Sequence, residues 1–197
     1  MSDLDLWQRA GTLADLAELT ARWLQGDPGV GDHPGYPSEP GERPGPDPET
    51  APLIPALVAA NRAGLLTITS QPGVDKHTEH GACLQHAAVE GWTIDAGLLA
   101  GLLAQADERG LLAIVHTLAA PGPSARGFTV TYDCGEPFTV MGRPLPREDV
   151  EQEVLPDCGA AAVAQVLTGW FVTLIDPEAG RNDRLWPLLL ACAGAAH

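Results

Sequence analysis

Residues 57–72 read Leu57-Val58-Ala59-Ala60-Asn61-Arg62-Ala63-Gly64-Leu65-Leu66-Thr67-Ile68-Thr69-Ser70-Gln71-Pro72. The first half ends an amphipathic run from Thr50, with Leu53, Leu57, Val58 and Asn61 at helical spacing. Pro52 falls in the first turn, where its missing N–H is harmless, whereas Pro55 delays the start. Asn61 to Gly64 ends the helix. Leu65 to Thr69 is then a β run, and Ser70-Gln71-Pro72-Gly73 is a turn sequence. One helix followed by one strand is therefore written into this segment.

The same order recurs downstream. Asp95 caps a helix to about Arg109, with Leu98, Leu99, Leu102, Leu103 and Ala106 facing the core. Gly110 stops it, and Leu111–Leu118 is a strand. Residues 158–169 form a small-residue helix, followed by a strand over Trp170–Ile175 and a last helix over Asn182–Ala193. Between these lie two further strands, Gly127–Tyr132 and Pro137–Met141. Residues 81–92 read as a short helix and then a strand through Ala87–Trp92. The predicted class is α/β, in an α+β layered form: a mixed central sheet or sheets flanked by helices.

Upstream, Thr12 to Gln25 is a helix, with Thr12 as cap and Asp15 completing a variant capping box. Eight prolines and five glycines then fall within residues 27–52, the signature of a loop or linker. A single domain over 1–197 is expected, with 27–48 a Pro/Gly-rich loop after the N-terminal helix.

Composition narrows function. The 197 residues carry 11 Lys plus Arg against 26 Asp plus Glu, a formal net charge of −15. That excludes an electrostatic grip on nucleic acid and disfavours an anionic membrane surface. No apolar run reaches the ~18 residues of a membrane span. The acidic start lacks a basic leader, so no signal peptide is read and the cytoplasm is expected. Cys83, Cys134, Cys158 and Cys192 form no CxxC pair, which reads as reduced thiols. Lys76 is the sole lysine beside abundant Ala, Gly, Pro and Arg, a bias of GC-rich coding.

Neither a phosphate-binding glycine loop nor a GxSxG nucleophile elbow is present. Two groups of residues remain. His77, His80, Cys83 and His86 are spaced by three. On one helix they diverge, but a loop running into a helix can gather His77, His80 and Cys83 around zinc. The alternative is a polar loop with exposed histidines. The second group is Glu49-Thr50 together with Thr67 and Ser70. Hydroxyls near a strand end, with a carboxylate at a helix entrance, make a cradle for a zwitterionic amino-acid moiety. A helix cap followed by a turn accounts for the same residues.

The Glu49-Thr50 pair and the run from Asn61 to Pro72 resemble the C-terminal regulatory domain of eukaryotic methylenetetrahydrofolate reductase. That domain carries a Glu-Thr followed by an Asn-Arg-x-Gly-(Ile/Leu)-Leu-Thr-Ile-Asn-Ser-Gln-Pro run, where this chain has Thr69 for the second Asn. Leu6-Trp7, the helix ending Trp23-Leu24-Gln25-Gly26-Asp27-Pro28, the strand Phe128-Thr129-Val130-Thr131-Tyr132 and the closing Trp170 to Asp176 and Asp183 to Trp186 segments are similar. The specific part is the stretch around Ser70. The resemblance implies binding of S-adenosylmethionine or S-adenosylhomocysteine through Glu49, Thr50, Thr67, Ser70 and, less directly, Thr131. It implies no catalytic residue, no metal and no catalytic cofactor. The expected chain is a non-catalytic sensor acting on an unidentified protein target, with a homodimer as its assembly. The catalytic barrel and the flavin and folate sites of that family are not expected here. Two alternatives stand beside it: an enzyme consuming S-adenosylmethionine (a transferase or lyase), and a zinc-stabilised interaction protein.

Overall fold

A computed structural model describes residues 4–37, 45–78, 81–118 and 126–192. Two short N-terminal helices come first, α1 (Leu4–Arg9) and α2 (Leu13–Leu24). Thr12 caps α2 as its sequence predicts: its hydroxyl accepts from the Asp15 N–H at 3.1 Å, and the Asp15 carboxylate accepts from the Gly11 and Thr12 N–H groups. Hydrogen bonding of the Asp15 carboxylate to the Thr12 side chain first, and then to the Gly11 and Thr12 N–H groups, holds the Asp15 carboxyl below its ordinary range.

A 3₁₀ helix (Pro48–Leu53) leads into α3 (Ile54–Arg62), so the helix begins at Ile54, with Pro55 in its first turn. Gly64 (φ +101°) turns the chain out of it, and Leu65 N–H closes back on Ala60 at 3.0 Å. The remaining elements are β1 (Leu66–Gln71), β2 (Val74–Thr78), β3 (Gly81–Gln85), β4 (Ala88–Thr93), α4 (Ala96–Glu108), β5 (Leu112–His116), β6 (Phe128–Asp133), β7 (Glu136–Met141), α5 (Arg147–Asp149) running into a π-helical turn (Val150–Val154), α6 (Ala160–Val166), β8 (Trp170–Ile175) and α7 (Leu185–Cys192).

The strands form two four-stranded sheets, ordered β1-β4-β8-β5 and β2-β3-β6-β7. The layered α+β class is the one the sequence predicts, but the sheets are not mixed as expected: every pairing within them is antiparallel. The first sheet is buried on both faces. Val89, Val172 and Leu174 share a core with apolar side chains of the helices. Ala88, Ile114 and Ile175 lie on the other face, against Val130 and Met141 of the second sheet. Helices, first sheet and second sheet are thus three successive layers. The central strand β8, Trp-Phe-Val-Thr-Leu-Ile, is almost continuously apolar because neither of its faces meets water.

Two further expectations fail. Residues 81–85 are a strand rather than a helix, paired with β2 in a hairpin. A polar, half-exposed hairpin on the outer sheet lacks the clean alternation that betrays a strand. Ser70 and Gln71 belong to β1 itself, and the turn is left to Pro72-Gly73.

Candidate functional site

A cavity of about 450 Å³ opens between α2, the loop 33–37, the segment 45–50 and β1. Its size falls in the roughly 300–1,000 Å³ range of small-molecule sites. A second hollow beside Trp92 and His116 holds about 20 Å³, room for little more than a water.

Glu49, Thr50, Thr67 and Ser70 all line the large cavity. Glu49 is exposed and Thr50 is buried, both on the 3₁₀ helix. That helix is a short six-residue piece, so the side chains rather than a helix end supply the chemistry. Thr67 is held by Asn61, whose amide donates to Leu57 O at 2.9 Å and to the Thr67 hydroxyl at 2.6 Å. The Asn61 carbonyl in turn accepts from the Thr67 N–H at 3.1 Å. The Thr67 oxygen therefore accepts from Asn61 and keeps its own proton to donate.

Thr67 and Ser70 are three apart, a spacing that puts side chains on opposite faces of a regular strand. A bulge at Ile68 reverses this. Thr67 pairs with Gly91 and Ser70 with Val89, two apart on β4, so both hydroxyls stand on one face. Gly91 makes room for the bulge: a Cβ there would sit 2.4 Å from the Leu66 carbonyl oxygen. Because the sheet is antiparallel, the cavity runs along the outer edge of β1 rather than beyond the ends of parallel strands, where the sequence argument placed it.

Thr131 stands apart from the other four. It lies on β6 in the second sheet, buried, and its hydroxyl donates to Gln71 Oε1 at 3.2 Å. Gln71 is the cavity-lining residue, and its amide also donates to His86 O and Val130 O. Thr131 thus orients a lining residue from behind.

The wall opposite β1 was missed by sequence reasoning. His33 and Tyr36 come from the Pro/Gly-rich segment read as a linker, and Thr20 and Trp23 from the buried face of α2. His33 is 2% exposed, within 4.8 Å of the Trp7 ring and 5.2 Å of Trp23. Burial lowers its pKa to about 4, so it is neutral. Its Nδ1 accepts from the Gly35 N–H, which leaves the proton on Nε2. Tyr36 stacks on Trp23 at 6.1 Å and donates its hydroxyl to Ile68 O at 2.6 Å. Although Tyr36 is 45% exposed, desolvation around its hydroxyl raises its pKa, so the phenol keeps its proton.

A family model described as a domain of unknown function (DUF6919) matches residues 2–195. The chain belongs to the DUF6919 family. No curated protein matches this DUF6919 chain.

The histidine–cysteine group of the DUF6919 chain is not gathered. His77 pairs with Ala82 and Lys76 with Cys83, so His77 and Cys83 project from opposite faces of the β2–β3 hairpin. His77 contacts Asp75 at 3.0 Å, and His86 Nδ1 meets Asp176 O at 2.9 Å. His80 lies outside the described residues. Among the described residues no group of three or more His, Cys, Asp and Glu is placed to hold a metal, and no helix is long and apolar enough to cross a membrane.

Proposed function

We propose that this cavity binds S-adenosylmethionine or S-adenosylhomocysteine, without catalysis, as a sensor domain. The observation that carries the reading is the meeting of Glu49, Thr50, Thr67 and Ser70 around one cavity of about 450 Å³. In this reading the Glu49 carboxylate takes the ligand's α-ammonium, and the Thr67 and Ser70 hydroxyls, on one face through the bulge, donate to its carboxylate. The ligand is held and released unchanged. The signal passes to a protein target in the cytoplasm, and the assembly is a homodimer.

Calorimetric titration with each ligand tests this. Binding on the micromolar scale, about −8 kcal/mol, is expected for at least one of them, with a matching rise in melting temperature. No heat and no thermal shift with either would end the proposal. A new product after long incubation would instead favour the transferase or lyase alternative.

A further inference from the structure

Thr20 and Trp23 are three apart on α2 and so share a helix face. They are 2% and 7% exposed. Neither the Thr20 hydroxyl nor the Trp23 indole N–H has a hydrogen-bond partner among the described residues. Both residues line the cavity. More than nine in ten buried polar groups are satisfied, because an unsatisfied one keeps its full desolvation cost. A helical threonine ordinarily turns its hydroxyl back to a carbonyl of the preceding turn, and Thr20 does not. Trp7, in the same core, donates its indole N–H to Val30 O at 3.0 Å. The fold therefore satisfies one buried indole and leaves the one at the cavity open.

The flat faces beside these two groups are His33, 5.2 Å from the Trp23 ring, and Tyr36, stacked on it. An indole N–H only donates, so its partner must present an acceptor; a hydroxyl both donates and accepts. We infer that Thr20 and Trp23 are ligand-contacting residues that read the edge of a flat heterocycle carrying a ring acceptor beside an amino group, a purine-type base. This rests on the proposed reading of the cavity and deepens it. It gives the nucleoside end of the ligand its own residues, which Glu49, Thr50, Thr67 and Ser70 do not supply.

The test compares wild type with Thr20→Val and Trp23→Phe, each removing one polar group while keeping most of the volume. S-adenosylmethionine, S-adenosylhomocysteine, adenosine and homocysteine are titrated separately, and the melting temperature of each ligand-free protein is recorded. Each variant is expected to bind S-adenosylhomocysteine and adenosine at least fivefold more weakly and homocysteine unchanged. The ligand-free melting temperature of Thr20→Val should stay equal to wild type or rise, since a buried group without a partner is gone, whereas Trp23→Phe leaves a small cavity in the core and melts somewhat lower. Wild-type affinity for adenosine and S-adenosylhomocysteine in both variants would overturn the inference and leave the proposed function standing. A lower melting temperature of Thr20→Val, or equal loss toward every ligand in either variant, would also overturn it, as a purely structural role. If wild type binds adenosine but neither S-adenosyl compound, and the variants lose adenosine, the inference stands and the proposed function falls. If wild type binds none of the compounds, both fall.

Discussion

Asn61 commits its whole amide to its neighbours: two hydrogen bonds fix Thr67 and a third ties the side chain to Leu57. Asn61→Ala strands the Thr67 N–H in the interior and should cost about 1–3 kcal/mol, read as a lower urea midpoint. Ligand affinity should fall with it, because the Thr67 hydroxyl loses its anchor. Glu49, exposed at the mouth, behaves differently. Glu49→Gln should leave the urea midpoint unchanged yet weaken S-adenosylhomocysteine binding by about 1–3 kcal/mol in calorimetry. His33 gives a pH signature. Its folded pKa of about 4 lies below the ordinary 6.5, so between those values the unfolded chain holds more protons. Stability should therefore be complete above about pH 6.5 and fall as the pH drops toward 4, by on the order of 3 kcal/mol. Melting curves of His33→Phe set against wild type isolate this part of the slope, since the phenyl ring cannot take up a proton.

At the scale of elements, β1 and its bulge decide what the cavity presents. Gly91→Ala would drive a methyl into the Leu66 carbonyl and the Thr67 backbone, displacing the bulge. A loss of about 1–3 kcal/mol is expected in urea denaturation, with a larger loss of ligand affinity than the stability change alone explains. The boundaries of β8 were legible to the residue, because a strand buried on both faces writes an unbroken apolar run between Gly169 and Asp176. Those of β2 and β3 were not, because exposed Asp75, Lys76 and His77 on an outer sheet mask any alternation. Glu49, Thr50, Thr67 and Ser70 were legible as a group through their resemblance to a known arrangement. The bulge that unites two of them is a tertiary accommodation to Gly91 and was invisible. Thr20 and Trp23 were hidden in plain sight: on an amphipathic helix an inward Thr or Trp is indistinguishable from core packing. His33 and Tyr36 were hidden by composition, since proline and glycine around them signal a loop and say nothing of what it covers.

For the molecule as a whole, the formal charge of −15 sets a field that any charged ligand feels on approach. S-adenosylmethionine carries a net positive charge through its sulfonium, whereas S-adenosylhomocysteine is neutral overall. Added salt should therefore weaken the first more than the second, seen as a steeper fall of calorimetric affinity with sodium chloride concentration. The α+β class was legible from the helix–strand order, whereas the all-antiparallel pairing and the division of the strands between two stacked sheets were not. That division depends on the β2–β3 hairpin leaving the first sheet at Pro72-Gly73 and on β4 returning to it after His86. The Tyr36 phenol occupies the Ile68 carbonyl on the open rim of β1, an acceptor that a stray polypeptide would need to zip onto that rim. The same aromatic ring that walls the cavity thus leaves one pairing position fewer for a further strand at this margin of the protein.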